Sequence, residues 1–138
     1  MIYVPAYSHV YLGDDRRFQM TTTLSVHNIS FRDSVWIDKV RYYDTDGGLV
    51  YDFVKEPVPL HPMETYKVHI EEDDTTGGSG ANFLVEWFGE PGAPAPIAEA
   101  VHVAVSSTAG LSFVTRGVPL TPFIVPESRE QPSSNTCD

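Results

Sequence analysis

The five histidines are the residues of this chain whose chemistry would best suit a metal site: His9, His27, His61, His69 and His102. Zinc sites usually take pairs of ligands at short sequence spacing, and no two of these histidines have it. Alternation along the predicted strands places His27, His69 and His102 outward, the first two in one sheet and His102 in the other. A cross-strand pair of His27 and His69 is one interpretation, and ordinary surface histidines are the other. We therefore predict neither a metal nor a cofactor.

Two acidic stretches contain carboxylates that could bind calcium. Residues 44–47 (DTDG) resemble the start of a calcium loop, but an EF-hand needs glycine at its sixth position and glutamate at its twelfth, where Leu49 and Lys55 stand. The Asp and Gly residues instead predict a tight turn between two strands. A weaker calcium site remains open if residues 14–15 and 71–74 converge.

Nucleophilic catalysis would need an activated hydroxyl, and residues 77–81 (GGSGA) come nearest to the pattern of a nucleophile elbow around Ser79. Ala81 breaks that pattern, and no helix follows it. No Lys-Ser or Lys-Thr follows the glycines either, and four acidic residues precede them, so a phosphate cradle is not indicated. The stretch predicts a loop whose glycines adopt positive φ, and we expect no enzymatic activity.

Aromatic side chains alternate in the opening segment at Tyr3, Tyr7, His9 and Tyr11. Such a row lines a ligand-binding face in some proteins, and it packs in the core or at a sheet edge in others. Both interpretations stay open from sequence.

The net charge and the length of the chain exclude some classes of protein function. The chain has 138 residues and a net charge of −10, and a field of that sign repels phosphate backbones and anionic lipids. Its single cysteine, Cys137, cannot form an intrachain disulfide. Because no basic and apolar leader opens the sequence and no apolar window approaches 18 residues, we expect neither an export signal nor a transmembrane segment in it.

The elements that would position these residues are β-strands, because apolar residues recur with a period of two and prolines and glycines are frequent. Residues 18–28 show this best, with Phe18, Met20, Thr22, Leu24 and Val26 on one face. In residues 35–43 the pattern changes phase between Ile37 and Val40, which predicts a bulge near Asp38 and Lys39. Residues 49–54 should return as a hairpin partner, and the prolines of residues 57–62 predict a crossover without ladder hydrogen bonds.

Four further strands are predicted over residues 66–70, 82–88, 97–105 and 111–116. In the third of these, Val101, Val103 and Val105 are expected to face inward. Seven or eight strands at this spacing predict an all-β domain over residues 1–117, an immunoglobulin-like antiparallel sandwich.

Residues 118–138 form a Pro-rich C-terminal arm in which small polar residues replace the strand pattern. Its apolar residues Leu120, Phe123, Ile124 and Val125 would be costly to leave in water, so the arm is expected to dock. Proline lowers the entropy lost when an extended segment binds, which favours a groove or a sheet edge as the receptor. The receptor is either another protein or the sandwich of the same chain.

Residues 24–66 resemble a widespread group of bacterial immunoglobulin-like modules, through LSVHN, VWIDKVRYYDTDGGLV and PLHPMETYKV. Over residues 3–117 the chain resembles a small bacterial family known only as a domain of unknown function, through YVPAYSHVY, LSVHN, YYDTDGG, TTGGSGANFLVEW and SSTAGLSFVTRG. Members of that family typically follow a secretion or lipoprotein signal, so the resemblance implies a periplasmic or envelope location. It implies no catalytic residues.

We therefore expect a non-catalytic structural or protein-interaction module of the bacterial envelope, as an accessory subunit of a larger assembly that docks through loops, a sheet edge and the arm. The alternative is a periplasmic protein that binds a small ligand or a metal through its acidic loops or outward histidines.

Overall fold

The computed structural model describes residues 1–14, 16–105 and 109–120, and every regular element in them is a β-strand. In chain order the strands are β1 (Ile2–Pro5), β2 (His9–Leu12), β3 (Arg16–Gln19), β4 (Thr21–His27), β5 (Val35–Tyr43), β6 (Leu49–Asp52), β7 (Val58–Leu60), β8 (Thr65–Ile70), β9 (Asn82–Gly89), β10 (Ile97–Val105), β11 (Gly110–Arg116) and β12 (Val118–Pro119). The all-β prediction is confirmed. The predicted count of strands was too low, because strands of two to four residues are too short to show alternation.

Two main sheets and one hairpin contain these strands. The large sheet has the order β12-β1-β9-β5-β6, with β7 also beside β5, and the small sheet has the order β11-β10-β4-β8. Strands β2 and β3 pair only with each other among the described residues. All pairings are antiparallel, and buried side chains from both main sheets form one hydrophobic core.

The strongest predictions of local structure are confirmed. Burial alternates without interruption along β4, where Thr22, Leu24 and Val26 face the core. The register between β5 and β9 shifts between Ile37 and Lys39, at the predicted bulge. This extra residue lets both Ile37 and Val40 reach the core, which a regular two-residue period would not allow.

The turn at residues 44–48 joins β5 to β6 as predicted, with Gly47 at a φ of 85°. The predicted crossover at residues 57–62 is wrong in part, because Val58–Leu60 pairs with β5 as a short strand. Pro59 lies opposite Trp36 in this pairing. Proline is tolerated there because β7 is a three-residue strand off the main path of the sheet, with few ladder hydrogen bonds to lose.

The predicted inward face of β10 is wrong. The structure buries its alternate residues Ala98, Ala100, His102 and Ala104, whereas Val103 and Val105 are 43% and 75% exposed. Valine outranks alanine in hydrophobicity, so the pattern of the sequence placed the valines inside. The space between the two sheets, and not hydrophobicity, determines which face of β10 is buried.

That space is small because β1 of the large sheet crosses close to the end of the small sheet. The Gly117 N–H donates to the Ala98 carbonyl oxygen over 2.7 Å, and the Thr115 hydroxyl donates to the Pro5 carbonyl oxygen over 2.5 Å. A Cβ atom on Gly117 would lie 2.7 Å from Cγ2 of Ile2, closer than van der Waals contact permits. This approach favours small side chains at Ala98 and Ala100, whereas the larger His102 side chain lies further along β10, against Tyr7 and Phe113.

Residues 6–8 connect the two sheets through their backbone. The N–H groups of Ala6 and Ser8 donate to carbonyls at Ala81 and Gly78, in the loop that leads into β9. Between them, the backbone of Tyr7 is satisfied from the small sheet, as described below. The segment is therefore bonded to both layers, which satisfies polar groups that the core would otherwise leave unpaired.

The inverted face of β10 makes a direct prediction for stability. Ala100→Leu should lower the free energy of unfolding by about 1–3 kcal/mol, since the larger side chain overpacks the close approach of the sheets. Val103→Leu changes an exposed residue three positions along the same strand, on its opposite face, and should cost less than about 0.5 kcal/mol. Urea unfolding of both variants checks this, and a larger loss for Val103→Leu would contradict the assigned face.

Candidate partner-binding surface

Leu120, the first residue of the predicted docking cluster, lies in a groove on the large sheet. Its N–H donates to the carbonyl oxygen of Met1 over 2.8 Å, so the chain stays attached to the sheet one residue beyond β12. The groove has a volume of about 360 Å³. It is lined by Met1, Asp38, Glu86, Trp87, Phe88 and Leu120.

The apolar part of this groove is open to solvent. Met1, Phe88 and Leu120 are 48%, 47% and 39% exposed. Phe88 stacks on Trp36 of the neighbouring strand with ring centroids 5.4 Å apart and planes at 5°, which holds its side chain in place. The groove therefore offers a pre-ordered aromatic wall and flexible aliphatic side chains, the combination found in protein interfaces.

Two half-buried carboxylates complete the groove. Asp38 is the additional residue of the β5 bulge, and bulges redirect a side chain out of the regular alternation. Glu86 lies in register with Lys39 on the opposite strand. Neither carboxylate forms an ion pair with any residue that the structure describes. Asp38 remains available to a cationic partner, and Glu86, whose charge acts on Arg41 without a close ion pair, can also accept one.

The structure thus describes one of the four predicted partner-binding residues, Leu120, and places it in the groove. Phe123, Ile124 and Val125 lie outside the described residues. The sequence did not indicate the other residues of the groove as a site, although the predicted bulge at Asp38 was a usable signal. Met1 and Glu86 carried no signal, since strand order alone brings them together.

His27 lies in a polar row across the outer face of the small sheet. Its Nδ1 is 2.8 Å from the Thr65 hydroxyl, and its Nε2 is 3.3 Å from Oε1 of Glu99. A hydroxyl, an imidazole and a carboxylate also occur together in hydrolases. Here they lie on three adjacent strands, where the same side chains form an ordinary cross-strand network.

The suggested pair of His27 and His69 does not form. His69 lies opposite Thr23, and its Nε2 is 2.9 Å from Oε1 of Glu71. The prediction that His102 belongs to a different sheet is also wrong, since β4, β8 and β10 share the small sheet. Across residues 1–14, 16–105 and 109–120, no three His, Cys, Asp or Glu side chains converge in a way that could hold a metal ion.

The carboxylates of Asp44 and Asp74, in the acidic loops, accept hydrogen bonds from other residues of the chain. Oδ1 of Asp44 accepts the N–H groups of Asp46 and Gly48, which closes the predicted hairpin turn. Asp74 accepts the hydroxyl of Tyr51 over 2.5 Å and the N–H of Thr76 over 3.1 Å. Those hydrogen bonds lower the pKa of the Asp74 carboxyl, although burial, the largest influence, acts to raise it.

His102 is fully buried, which corrects the prediction that it points outward. Its Nε2 accepts the N–H of Tyr7 over 3.0 Å, while the Thr22 hydroxyl donates to the Tyr7 carbonyl oxygen over 3.3 Å. The imidazole stacks on Phe113 with ring centroids 4.3 Å apart. The side chain thus anchors the segment between β1 and β2 to the small sheet.

The protonation of His102 follows from these contacts. Because Nε2 accepts a hydrogen bond, the neutral ring carries its proton on Nδ1, which has no hydrogen-bond partner among the described residues. Burial lowers the pKa of His102 below its ordinary value of 6.5, and the nearby carbonyls of Phe113 and Ala100 oppose this only in part. The folded protein therefore holds a neutral imidazole.

The structure is an all-β protein with an exposed apolar and acidic groove at the point where its last described strand ends. The family described as "Protein of unknown function (DUF3124)" matches residues 1–120, and the chain belongs to this family. No curated protein and no solved structure matches the chain significantly. Within the described residues, there is no helix of sufficient length and apolarity for a membrane span.

The neutral state of His102 predicts a loss of stability in acid. As the pH falls through 6.5, the unfolded chain binds a proton that folded His102 does not yet accept, so the free energy of unfolding should decrease. His9 contributes in the same direction, because burial and then the charge of Arg17 lower its pKa. His102→Gln keeps an acceptor for Tyr7 but does not titrate, and it should flatten the dependence.

Chemical denaturation at closely spaced pH values from 7.5 to 5 checks this prediction. His9→Gln measured in parallel separates the two contributions. Superimposable pH profiles for His102→Gln and the unaltered protein would contradict it.

Proposed function

We propose that this protein is a non-catalytic structural or protein-interaction module of the bacterial envelope, an accessory subunit that docks onto a larger assembly. The observation that carries the proposal is the groove around Leu120. It combines exposed apolar side chains with two carboxylates that have no ion pair within the described residues. A surface of this kind is built for contact with another molecule rather than for chemistry.

The chemistry of the groove defines the partner segment. Asp38 and Glu86 favour a Lys or Arg side chain, and the wall of Phe88 and Trp87 favours an apolar one beside it. The net charge of −10 extends this preference over the whole surface, because it steers basic partners toward the protein. The occupant we propose is therefore a basic and apolar segment of a partner protein.

The arm takes part in the same contact under this proposal. Residues 121–138 follow Leu120 in the sequence. Phe123, Ile124 and Val125 are therefore only three to five residues away from a residue of the groove. A partner segment in the groove could then contact both the sheet and the arm. An edge strand such as β11, which is seven residues long, and the loops would extend the interface.

We also propose that the fold is a variant of the immunoglobulin-like sandwich. Strand β4 pairs with β8 and β5 pairs with β9, as strands B and E and strands C and F do in that fold. The variation is that β10 lies beside β4 and β1 lies beside β9, so that β10 takes the place of strand A and β1 that of strand G.

Site-specific cross-linking tests the groove. A photoreactive p-benzoylphenylalanine at Leu120, in the full chain and in its native host, should give an adduct with one protein. The same substitution at Met63, which is 58% exposed in the turn before β8, should give none. An adduct with residues 121–138 of the same chain, or equal adducts at both positions, would contradict the proposal.

Charge reversal adds a matched control to this experiment. Asp38→Lys with Glu86→Lys should reduce the adduct at Leu120 about tenfold, because a basic segment then meets repulsion. Asp46→Lys with Glu90→Lys makes the same charge change at exposed turn residues and should leave the adduct intact. Equal yields from the two double variants would exclude Asp38 and Glu86 as determinants.

Deletion of residues 121–138 tests the arm separately. Binding of the cross-linked partner should be lost, while the free energy of unfolding should change by less than about 0.5 kcal/mol, since the arm serves the partner and not the domain. Retained binding would contradict a role of the arm in partner contact. A large loss of stability would indicate that the arm packs on the sheets of its own chain.

The envelope location is part of the proposal and is supported by the family resemblance. Fractionation of the native host should release the protein with the periplasmic contents or with the envelope. Recovery in the cytoplasmic fraction would contradict it.

The alternative of a periplasmic small-ligand-binding protein is supported by one specific observation, a pocket that contains two arginines. That pocket is separate from the groove in its lining residues.

A further inference from the structure

A second pocket, of about 500 Å³, opens between strand β3, the turn after β8 and the end of β10. This volume falls within the range of small-molecule sites. Arg16, Arg17, Phe18 and Gln19 form one wall, and Glu72 approaches from another side. Four consecutive residues of strand β3 therefore line this pocket.

The charge of this pocket is opposite to that of the protein. The chain has nine Lys and Arg residues against nineteen Asp and Glu, and two of the nine lie here side by side. Within the described residues, neither guanidinium forms an ion pair with a carboxylate. Among the described residues only Glu72 brings a carboxylate to this pocket, so the two arginines give it a local excess of positive charge that favours an anion.

The side chain of Arg16 and the backbone of β3 are held in position. The guanidinium carbon of Arg16 lies 5.9 Å from the centroid of the Phe18 ring, in a cation–π contact. Strand β3 pairs along its length with β2, and the following residue, Met20, is 1% exposed and donates its N–H to the Ser8 carbonyl oxygen over 2.9 Å. The positive charge of Arg17 extends to His9, whose pKa it helps to lower after burial.

We propose that this pocket binds a small organic anion, with its carboxylate or phosphate group bound by Arg16 beside Phe18 and its uncharged part resting on Phe18 and the end of β10, while Arg17 adds positive charge from the next position of β3. Guanidinium groups bind both anions through paired hydrogen bonds, and the Gln19 amide can donate another. Glu72 repels a second anionic group, which favours ligands with one charged end.

Glu72 also competes with the ligand, because its carboxylate could bind the arginines in the empty pocket. Removing its charge should therefore tighten ligand binding, whereas removing the arginine charges should abolish it. The opposite effects of two neighbouring substitutions distinguish a site from general attraction of ions to the protein.

Titration calorimetry on the full chain at constant ionic strength tests this inference, with inorganic phosphate and propionate as separate probes. We expect saturable binding of at least one probe, and the stronger one identifies the anionic group. Arg16→Gln with Arg17→Gln should weaken it at least about tenfold, and Glu72→Gln should strengthen it. Arg32→Gln with Lys55→Gln, which removes two exposed charges elsewhere, should leave the affinity unchanged.

Absence of saturable binding of both probes to the unaltered protein would overturn the inference. So would equal weakening by the two double variants, since that outcome indicates only nonspecific attraction. Melting transitions of all variants verify that each is folded. The groove at Leu120 shares no residue with this pocket, so the result is independent of the cross-linking experiment.

Discussion

The close approach of β1 to the end of the small sheet is the constraint on which the rest of the structure depends. It requires glycine at position 117, favours alanine at positions 98 and 100 of β10, and brings the backbone of Tyr7 within reach of His102. Residues 6–8 then form hydrogen bonds to both layers: Ala6 and Ser8 to the loop that leads into β9, and Tyr7 to His102 of the small sheet. Buried polar groups contribute to such order only when they are nearly all satisfied, and the unpaired Nδ1 of His102 is the exception here.

The same constraint shapes the two surfaces proposed to bind other molecules. Because β1 is held against the core, its outer edge can accept β12, and Leu120 ends beside Met1 at the groove. Because β3 pairs with β2 and Met20 after it is buried, the backbone that carries Arg16 and Arg17 is held at the second pocket. Each surface thus lies on or beside backbone that is hydrogen-bonded to a neighbouring strand, which limits the backbone freedom that is lost on binding.

The strands most completely predicted from sequence are those with one wet face. β4 alternates between apolar and polar residues because its outer side meets water, and the phase change in β5 shows the bulge directly. In β10 the alternation compares valine with alanine and histidine, and no polar residue except Glu99 marks the wet face. Hydrophobicity alone then selects the larger side chain for the interior, which fails where two backbones lie too close for it.

The candidate sites were predicted less completely, for a different reason. Leu120 was indicated by its apolar neighbours, but Met1, Asp38 and Glu86 belong to segments that are distant in sequence and meet only through the pairing order of the strands. Arg16 and Arg17 were a visible doublet in a chain of net charge −10, yet their pocket needs the turn at Glu72 and the end of β10. The spacing of residues along one strand shows which side chains share a face. It does not show which residues of other strands lie opposite that face.

The sequence by itself therefore determined the β class, the antiparallel hairpins, the bulge and the acidic surface, since each depends on residues within a few positions of one another. The tertiary structure alone decided which face of β10 is buried, why His102 is neutral, and which side chains share the groove and the pocket. These properties depend on the distance between the sheets and on the order of their strands. Both result from the packing of the whole core, which no local pattern records.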